Sequence, residues 1–159
     1  YLPIAGALVN PGDSESPGLT SAPAIGKYVY DLVGEKYPAK AKENFIKYRK
    51  GITKVMELPL EKRNQLIAKN PLYGQIVCFC ENVSAGEIIE AINRPLSPTT
   101  IDGLKRRIRV GMGKCQSGFC LNKSMKLLSQ ELNKDIFTIT KNGEHSTYLV
   151  GLNKEVNHE

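Results

Sequence analysis

All four cysteines of the 159-residue chain fall in two tight pairs, Cys78-Phe79-Cys80 and Cys115-Gln116-Ser117-Gly118-Phe119-Cys120. On an extended segment side chains alternate with a period of two. A Cys-x-Cys pair there points both sulfurs to one side, so residues 78 and 80 are expected to close on one metal atom. Four residues separate Cys115 from Cys120, and Gly111, Gly113 and Gly118 let the loop around them wrap closely and aim backbone N–H groups inward. Two chelating pairs suit a two-iron, two-sulfide core. Four thiolates also satisfy a tetrahedral zinc ion, which stands as the alternative. Two disulfides fit less well, because no secretory signal is visible and glycine lines the pairs.

The 34 residues between the pairs, 81–114, must fold back on themselves to bring the sulfurs together. Ser84-Ala85-Gly86-Glu87 is a capping box for a helix with Ile88, Ile89, Ala91 and Ile92 on its apolar face. Pro95 and Pro98 break the chain. Thr99-Thr100-Ile101-Asp102 opens a second helix carrying Ile101, Leu104 and Ile108, which the glycines at 111 and 113 are expected to stop. A third helix is predicted from about Cys120, with Leu121, Met125, Leu128 and Leu132 on one face. Its N-terminus would turn the positive end of the helix dipole toward the site. Four thiolates outweigh the charge of an oxidised two-iron core. Of the nearby Lys105, Arg106, Arg107, Arg109 and Lys114, most read as a solvated helix face; one or two beside a sulfur would lower its pKa.

These residues carry a resemblance. Cys78-Phe79-Cys80-Glu81-Asn82-Val83, Gly86-Glu87-Ile88 and the run from Arg107 to Cys120 resemble the [2Fe-2S]-binding domain related to bacterioferritin-associated ferredoxin. Stand-alone ferredoxins of that group close with Cys-x-x-Cys. The four-residue gap here, within Gly-Met-Gly-x-Cys-Gln-x-x-x-Cys, resembles the form appended to anaerobic glycerol-3-phosphate dehydrogenases, in their flavoprotein chain, over about residues 73–133. The resemblance implies that Cys78, Cys80, Cys115 and Cys120 hold a [2Fe-2S] cluster that carries electrons away from FAD.

A second resemblance lies near the start. Tyr1 to Val9 reads as a strand, followed by a loop over 10–21 and a helix with Ser21 as N-cap, Pro23 in its first turn and Ile25, Tyr28, Val29 and Leu32 on one face, ending at Gly34. A glycine-containing loop entering a helix offers N–H groups to an anion, although a plain capped helix explains it equally well. Ser16-Pro17-Gly18-Leu19-Thr20-Ser21-Ala22-Pro23-Ala24-Ile25-Gly26 resembles the closing segment of the FAD-dependent oxidoreductase fold, in which the turn Gly18, Leu19, Thr20 would lie against the flavin. The chain contains no Gly-x-Gly-x-x-Gly after a strand, and so no half-site for the FAD pyrophosphate. It reads as the C-terminal part of a larger flavoenzyme, with a ferredoxin-like docking protein lacking a flavin domain as the alternative, and no catalytic residue is expected in this stretch; His145 and His158 read as exposed.

Between the two motifs, 38–70 has a helical pattern, with Ala41, Phe45, Tyr48 and Ile52 on one face and a further helix starting at Pro59 and ending at Asn70-Pro71. After the third helix of the cysteine module, the β-rich runs 136–140 and 146–150 around Asn142-Gly143 predict a hairpin, and 153–159 a polar tail. The fold class is therefore mostly α with a small β component. Its expected parts are a flavin-domain remnant (1–35), a helical connector (36–72), a helical [2Fe-2S] module (73–135), and a β-hairpin with tail (136–159). The net charge of +6 is ordinary for a solvated surface and calls for no nucleic-acid partner. No apolar run approaches the roughly 20 residues that span a bilayer. A cytoplasmic location is expected, with attachment to the inner face of the membrane through partner subunits as the resemblance's extension. The expected partners are the flavin domain of the same polypeptide and other dehydrogenase subunits.

FAD titrated into the isolated chain should show no micromolar binding by flavin fluorescence, because the pyrophosphate-binding helix terminus is absent. Tight binding would overturn the reading of residues 18–20 as one edge of a larger site.

Overall fold

The computed structural model describes residues 2–4, 7–9, 17–38, 40 and 42–152. Contacts divide the chain into two compact units, residues 1–49 and 50–159. In the first, β1 (Leu2–Ile4) and β2 (Ala7–Val9) pair antiparallel, Leu2 opposite Val9 and Ile4 opposite Ala7, where one strand was expected. Helix α1 spans Gly18–Lys36. It begins before the expected cap: Pro17 occupies the N-cap position, and Ser21 lies inside the helix, its hydroxyl donating to the carbonyls of Pro17 and Gly18 at 3.1 and 3.3 Å. Gly34 does not stop the helix, which ends two residues later at Lys36. No residue of α1 is buried. The loop over 10–16 lies outside the described residues.

The helix expected around Phe45, Tyr48 and Ile52 does not form: residues 42–54 carry none, and Ala41 lies outside the described residues. Phe45, Ile46 and Tyr48 are exposed, so the apolar face has nothing to pack against, and short helices without such packing are marginal in water. Ile52 packs instead against the core of the second unit. The carbonyls of Lys50 and Gly51 accept from the Arg94 guanidinium at 2.7 and 2.6 Å, which ties this stretch of chain to the end of α3.

The second unit opens with a 3-10 turn at Val55–Glu57 and α2 (Leu60–Lys69), entered through Pro59 as expected. Asn70 ends α2, and its side chain accepts the Leu72 N–H to start a 3-10 turn at Pro71–Gly74. β3 (Ile76–Cys78) pairs antiparallel with β4 (Val83–Ser84) through a bulge, and leads into α3 (Ala85–Ile92). The capping box is present. Ser84 Oγ accepts the Glu87 N–H at 3.3 Å, and Glu87 accepts the Ser84 N–H and hydroxyl at 2.7 Å. Glu87 also accepts the Val55 N–H at 3.3 Å, so one buried carboxylate ties the start of α3 to the segment before α2.

α3 is the buried axis of the unit, packed between α4 (Ile101–Ile108) and α5 (Leu121–Leu132). Thr100 caps α4 by accepting the Gly103 N–H at 3.0 Å. Arg109 in the left-handed region (φ 64°) ends α4 two residues before the first glycine expected to do so. Ile88, Ala91, Leu104, Met125, Leu128 and Ile139 fill the core together with Cys78 and Cys120. Each large aliphatic side chain there contributes roughly 1.5–3 kcal/mol by leaving water.

The C-terminal hairpin is reduced to a single antiparallel bridge, Thr140 to Thr147. Its first run is a 3-10 turn, Ile136–Thr138, because Asp135 accepts the Phe137 N–H and the Thr138 hydroxyl donates back to the Asp135 carbonyl. The carbonyls of Thr140 and Lys141 accept the N–H groups of Ile101 and Asp102. They satisfy the unpaired first turn of α4 instead of extending a ladder.

The packing of α3 against Tyr73 can be tested through volume. A Cβ on Gly86 would stand 2.7 Å from the Tyr73 ring, whose hydroxyl donates to Glu90 at 3.0 Å. Gly86→Ala should destabilise the unit by about 1–3 kcal/mol through overpacking. In a Tyr73→Ala background the same change should stabilise it by about 1 kcal/mol, the ordinary helix preference for alanine. Denaturant unfolding measures both, and equal effects in the two backgrounds would refute the contact.

Candidate metal centre

β3 runs into the core and ends at Cys78, which is 1% exposed. The chain then turns away through Phe79 to Asn82, the last with φ 53°. Cys80 therefore lies in a turn and is exposed. The extended geometry expected to put both sulfurs on one side is not formed, since the β3–β4 connection must reverse within these few residues. Cys120 occupies the N-cap position of α5, 2% exposed, and Cys115 is half-buried on the loop before it.

The loop from Gly111 to Cys120 is shaped by its own backbone. Gly111 has φ +81°, and its carbonyl accepts the Ser117 hydroxyl at 3.2 Å; a Cβ there would stand 2.2 Å from that hydroxyl oxygen. Gln116 and Ser117 both adopt the left-handed region, at φ 48° and 74°. The Gln116 N–H reaches the Gly113 carbonyl at 2.9 Å, and its side-chain amide donates to the carbonyls of Met112 and Gly113. Gly113 seats the loop on the first pair, because a Cβ at that position would come within 2.2 Å of Cys80 Cβ. Only glycine lets the two cysteine segments approach so closely.

All four sulfur-bearing residues converge. The Cys80 thiol donates to Cys115, and together with the Phe119, Ser117 and Gly118 N–H groups it holds the Cys115 pKa below the ordinary thiol value. Burial, the neighbouring Cys78 charge and a hydrogen bond to Cys78 push Cys120 up to about 11. The contacts thus run between the motifs, Cys80 with Cys115 on the exposed side and Cys78 with Cys120 on the buried side. Among the described residues no three Cys, His, Asp or Glu side chains surround one ion position.

Arg106, Arg107, Arg109 and Lys114 are exposed, as expected of a solvated face. Arg109 pairs with Glu81 at 2.7 Å, Arg107 donates to the carbonyls of Gly103 and Leu96, and Arg106 reaches Asn142. What lowers Cys115 is the thiol of Cys80 and backbone N–H groups. The left-handed Gln116 and Ser117 were not legible in the sequence, since nothing in their type announces positive φ.

The donor set fits a thiolate-bound cluster. Four thiols converge from two directions, backbone N–H groups face Cys115, and the loop leaves no room for a Cβ at Gly113. One turn beyond Cys120, Ser124 Oγ is buried with no hydrogen-bond partner among the described residues, and helical side chains lean toward the preceding turn. Elsewhere, Gly18, Leu19 and Thr20 form the first turn of α1, with Leu19 93% exposed. His145 is exposed on the turn before Thr147, and His158 lies outside the described residues. No helix among the described residues is long and apolar enough to cross a membrane.

Residues 76–130 match the family described as the BFD-like [2Fe-2S] binding domain. A glycerol 3-phosphate dehydrogenase from Caloramator mitchellensis is 43% identical over 153 residues, covering 94% of this chain and 32% of that protein. An anaerobic glycerol-3-phosphate dehydrogenase chain of Haemophilus influenzae is 36% identical over 69 residues, covering 43% of this chain and 12% of its own length. The Escherichia coli K12 protein of the same name is 32% identical over 90 residues, covering 50% of this chain and 16% of its own length. The chain thus spans about a third, or less, of the curated relatives it matches. No solved structure matches.

In metal-free, reduced protein at pH 7.5, iodoacetamide should modify Cys115 at least about tenfold faster than Cys120, since the thiolate is the reactive form. Peptide mass spectrometry over time gives the order. Faster modification of Cys120 would contradict the arrangement of the two pairs.

Proposed function

We propose, for a chain whose residues 76–130 are a BFD-like [2Fe-2S] binding domain within a relative of glycerol-3-phosphate dehydrogenases, that Cys78, Cys80, Cys115 and Cys120 ligate the cluster. On this reading the chain is the iron-sulfur electron-transfer region of an FAD-dependent enzyme that oxidises glycerol 3-phosphate. The observation that carries it is the convergence of the four thiols in two contacting pairs, with backbone N–H groups turned toward one of them.

A bound [2Fe-2S] core supplies one-electron storage, so that two electrons from a flavin leave singly. The protein's own contributions are positional. Cys78 and Cys120 anchor the inner side in the core, where apolar walls keep out water. Cys80 and Cys115 close the outer side. The N–H groups of Ser117, Gly118 and Phe119 stabilise negative charge on Cys115, as backbone donors do at iron-sulfur sites. Ligation requires all four thiols to lose their protons, and the raised pKa of Cys120 makes that step depend on the metal's own charge.

The whole enzyme is read as follows. Gly18, Leu19 and Thr20 lie at the flavin edge, FAD is held by the rest of a flavin domain in the same polypeptide, and other dehydrogenase subunits receive the electrons. Support comes from the names and extents of the relatives, which are longer than this chain. Peripheral attachment to the inner face of the membrane through those subunits, from the cytoplasmic side, belongs to the same reading.

Anaerobically reconstituted chain should hold about two irons and two acid-labile sulfides, with visible absorption. Cys78→Ser or Cys120→Ala should abolish that absorption and accelerate amide exchange through residues 74–133, because the ligands are also core side chains. One zinc per chain, colourless after the same treatment, would replace the cluster with a structural ion.

A further inference from the structure

Three large apolar side chains flanking the cysteine motifs in sequence are exposed. Phe79, between Cys78 and Cys80, is 72% exposed; Phe119, before Cys120, is 84% exposed; Met112, two residues before Lys114, is 38% exposed. Each adjoins a residue of the contacts already described. Gly113, next to Met112, is seated on Cys80, and the Phe119 N–H faces the Cys115 sulfur, which in turn meets Cys80. The exposed thiol pair therefore lies among exposed apolar groups. Solvent-facing apolar clusters of this kind mark contact surfaces.

Along the segment that carries the second cysteine pair the charge has one sign, while Glu81 beside Cys80 is taken up by Arg109. From Gly103 to Gln130 the chain carries seven Lys and Arg and no Asp or Glu. Arg109 and Arg107 are engaged by Glu81 and by carbonyls. Lys114, Lys123 and Lys126 are exposed, and none of them forms a salt bridge among the described residues. Lys114 adjoins Cys115, and Lys123 lies one turn beyond Phe119. An apolar centre with a cationic rim suits a partner with an apolar centre and an acidic rim.

Resting on the cluster reading above, we infer that Phe79, Met112 and Phe119, rimmed by Lys114, Lys123 and Lys126, form the docking face for an acidic one-electron acceptor protein. One electron leaves the reduced cluster, which is oxidised, and enters the acceptor's redox group, which is reduced; no bond or proton is exchanged. Docking over the exposed pair, Cys80 and Cys115, places the partner against the sulfurs with least protein between them. The buried pair faces the core and offers no such route.

The test uses reconstituted chain reduced with dithionite and mixed by stopped flow with cytochrome b5, whose haem edge is ringed by carboxylates, or with cytochrome c, ringed by lysines. The rate to cytochrome b5 should fall about tenfold or more as salt rises from low to physiological strength, and that to cytochrome c should not fall. Phe79→Ser and Phe119→Ser should each slow the b5 reaction about tenfold with unchanged cluster absorption. Lys114→Glu with Lys123→Glu should abolish its salt dependence. A loaded, reducible cluster whose rates ignore all these changes overturns the docking face alone. Cosedimentation with phosphatidylglycerol vesicles that is lost in the Phe variants, with unaltered b5 rates, assigns the face to a membrane and overturns it likewise. A chain that takes up no cluster overturns both readings.

Discussion

Cys78 and Cys120 are core side chains before they are anything else. They pack among Ile88, Leu104, Met125 and Leu128, and their contact joins the end of β3 to the start of α5 across the middle of the unit. Neutral thiols cost little to bury. Thiolates in the same place cost a great deal unless a cation compensates them, and the raised pKa of Cys120 is the direct expression of that cost. Burial keeps the Cys120 thiol protonated in the metal-free unit, and a metal that binds there must displace that proton. Binding and packing are coupled through the same two side chains.

Around this inner pair, the elements answer to polar groups that had to be satisfied. Glu87 closes the capping box and holds the Val55 N–H, so its burial is compensated at both ends. Burial pushes Glu90 up, but the Arg94 guanidinium, the Thr53 N–H and the Tyr73 hydroxyl outweigh it and hold the carboxyl below its usual range. A carboxylate so depressed stabilises the fold above its unfolded pKa, and the contribution is lost as pH falls through the folded value. These bonds dock the 50–54 segment, which forms no helix, on α3.

The outer pair lives in a different environment. Gly113 brings the two cysteine segments into contact, and the left-handed Gln116 and Ser117 turn the following N–H groups toward Cys115. A lowered thiol pKa on the exposed side and a raised one on the buried side give the site a polarity from inside to outside. The exposed aromatic residues stand on the outer side.

The sequence by itself determined where the four cysteines cluster and most of the helical frame. The four cysteines, the Ser84–Glu87 capping box, the Thr100 cap and the apolar faces of α3, α4 and α5 were legible because caps and 3.6-residue periodicity are local signals. Tertiary structure decided what depends on distant partners. The pattern at Phe45 and Tyr48 gave no helix because nothing covers that face, and the runs after Asp135 gave a 3-10 turn and one bridge because Thr140 and Lys141 cap α4 instead. Arg109 rather than a glycine ended α4, and the left-handed Gln116 and Ser117 are held by carbonyls of their own loop, which Gly113 seats on the distant Cys80. The pairing of Cys80 with Cys115 and of Cys78 with Cys120 belongs to that second class. Spacing along the chain shows which sulfurs are near in sequence, while the reversal after β3 and the core around α3 decide which of them meet.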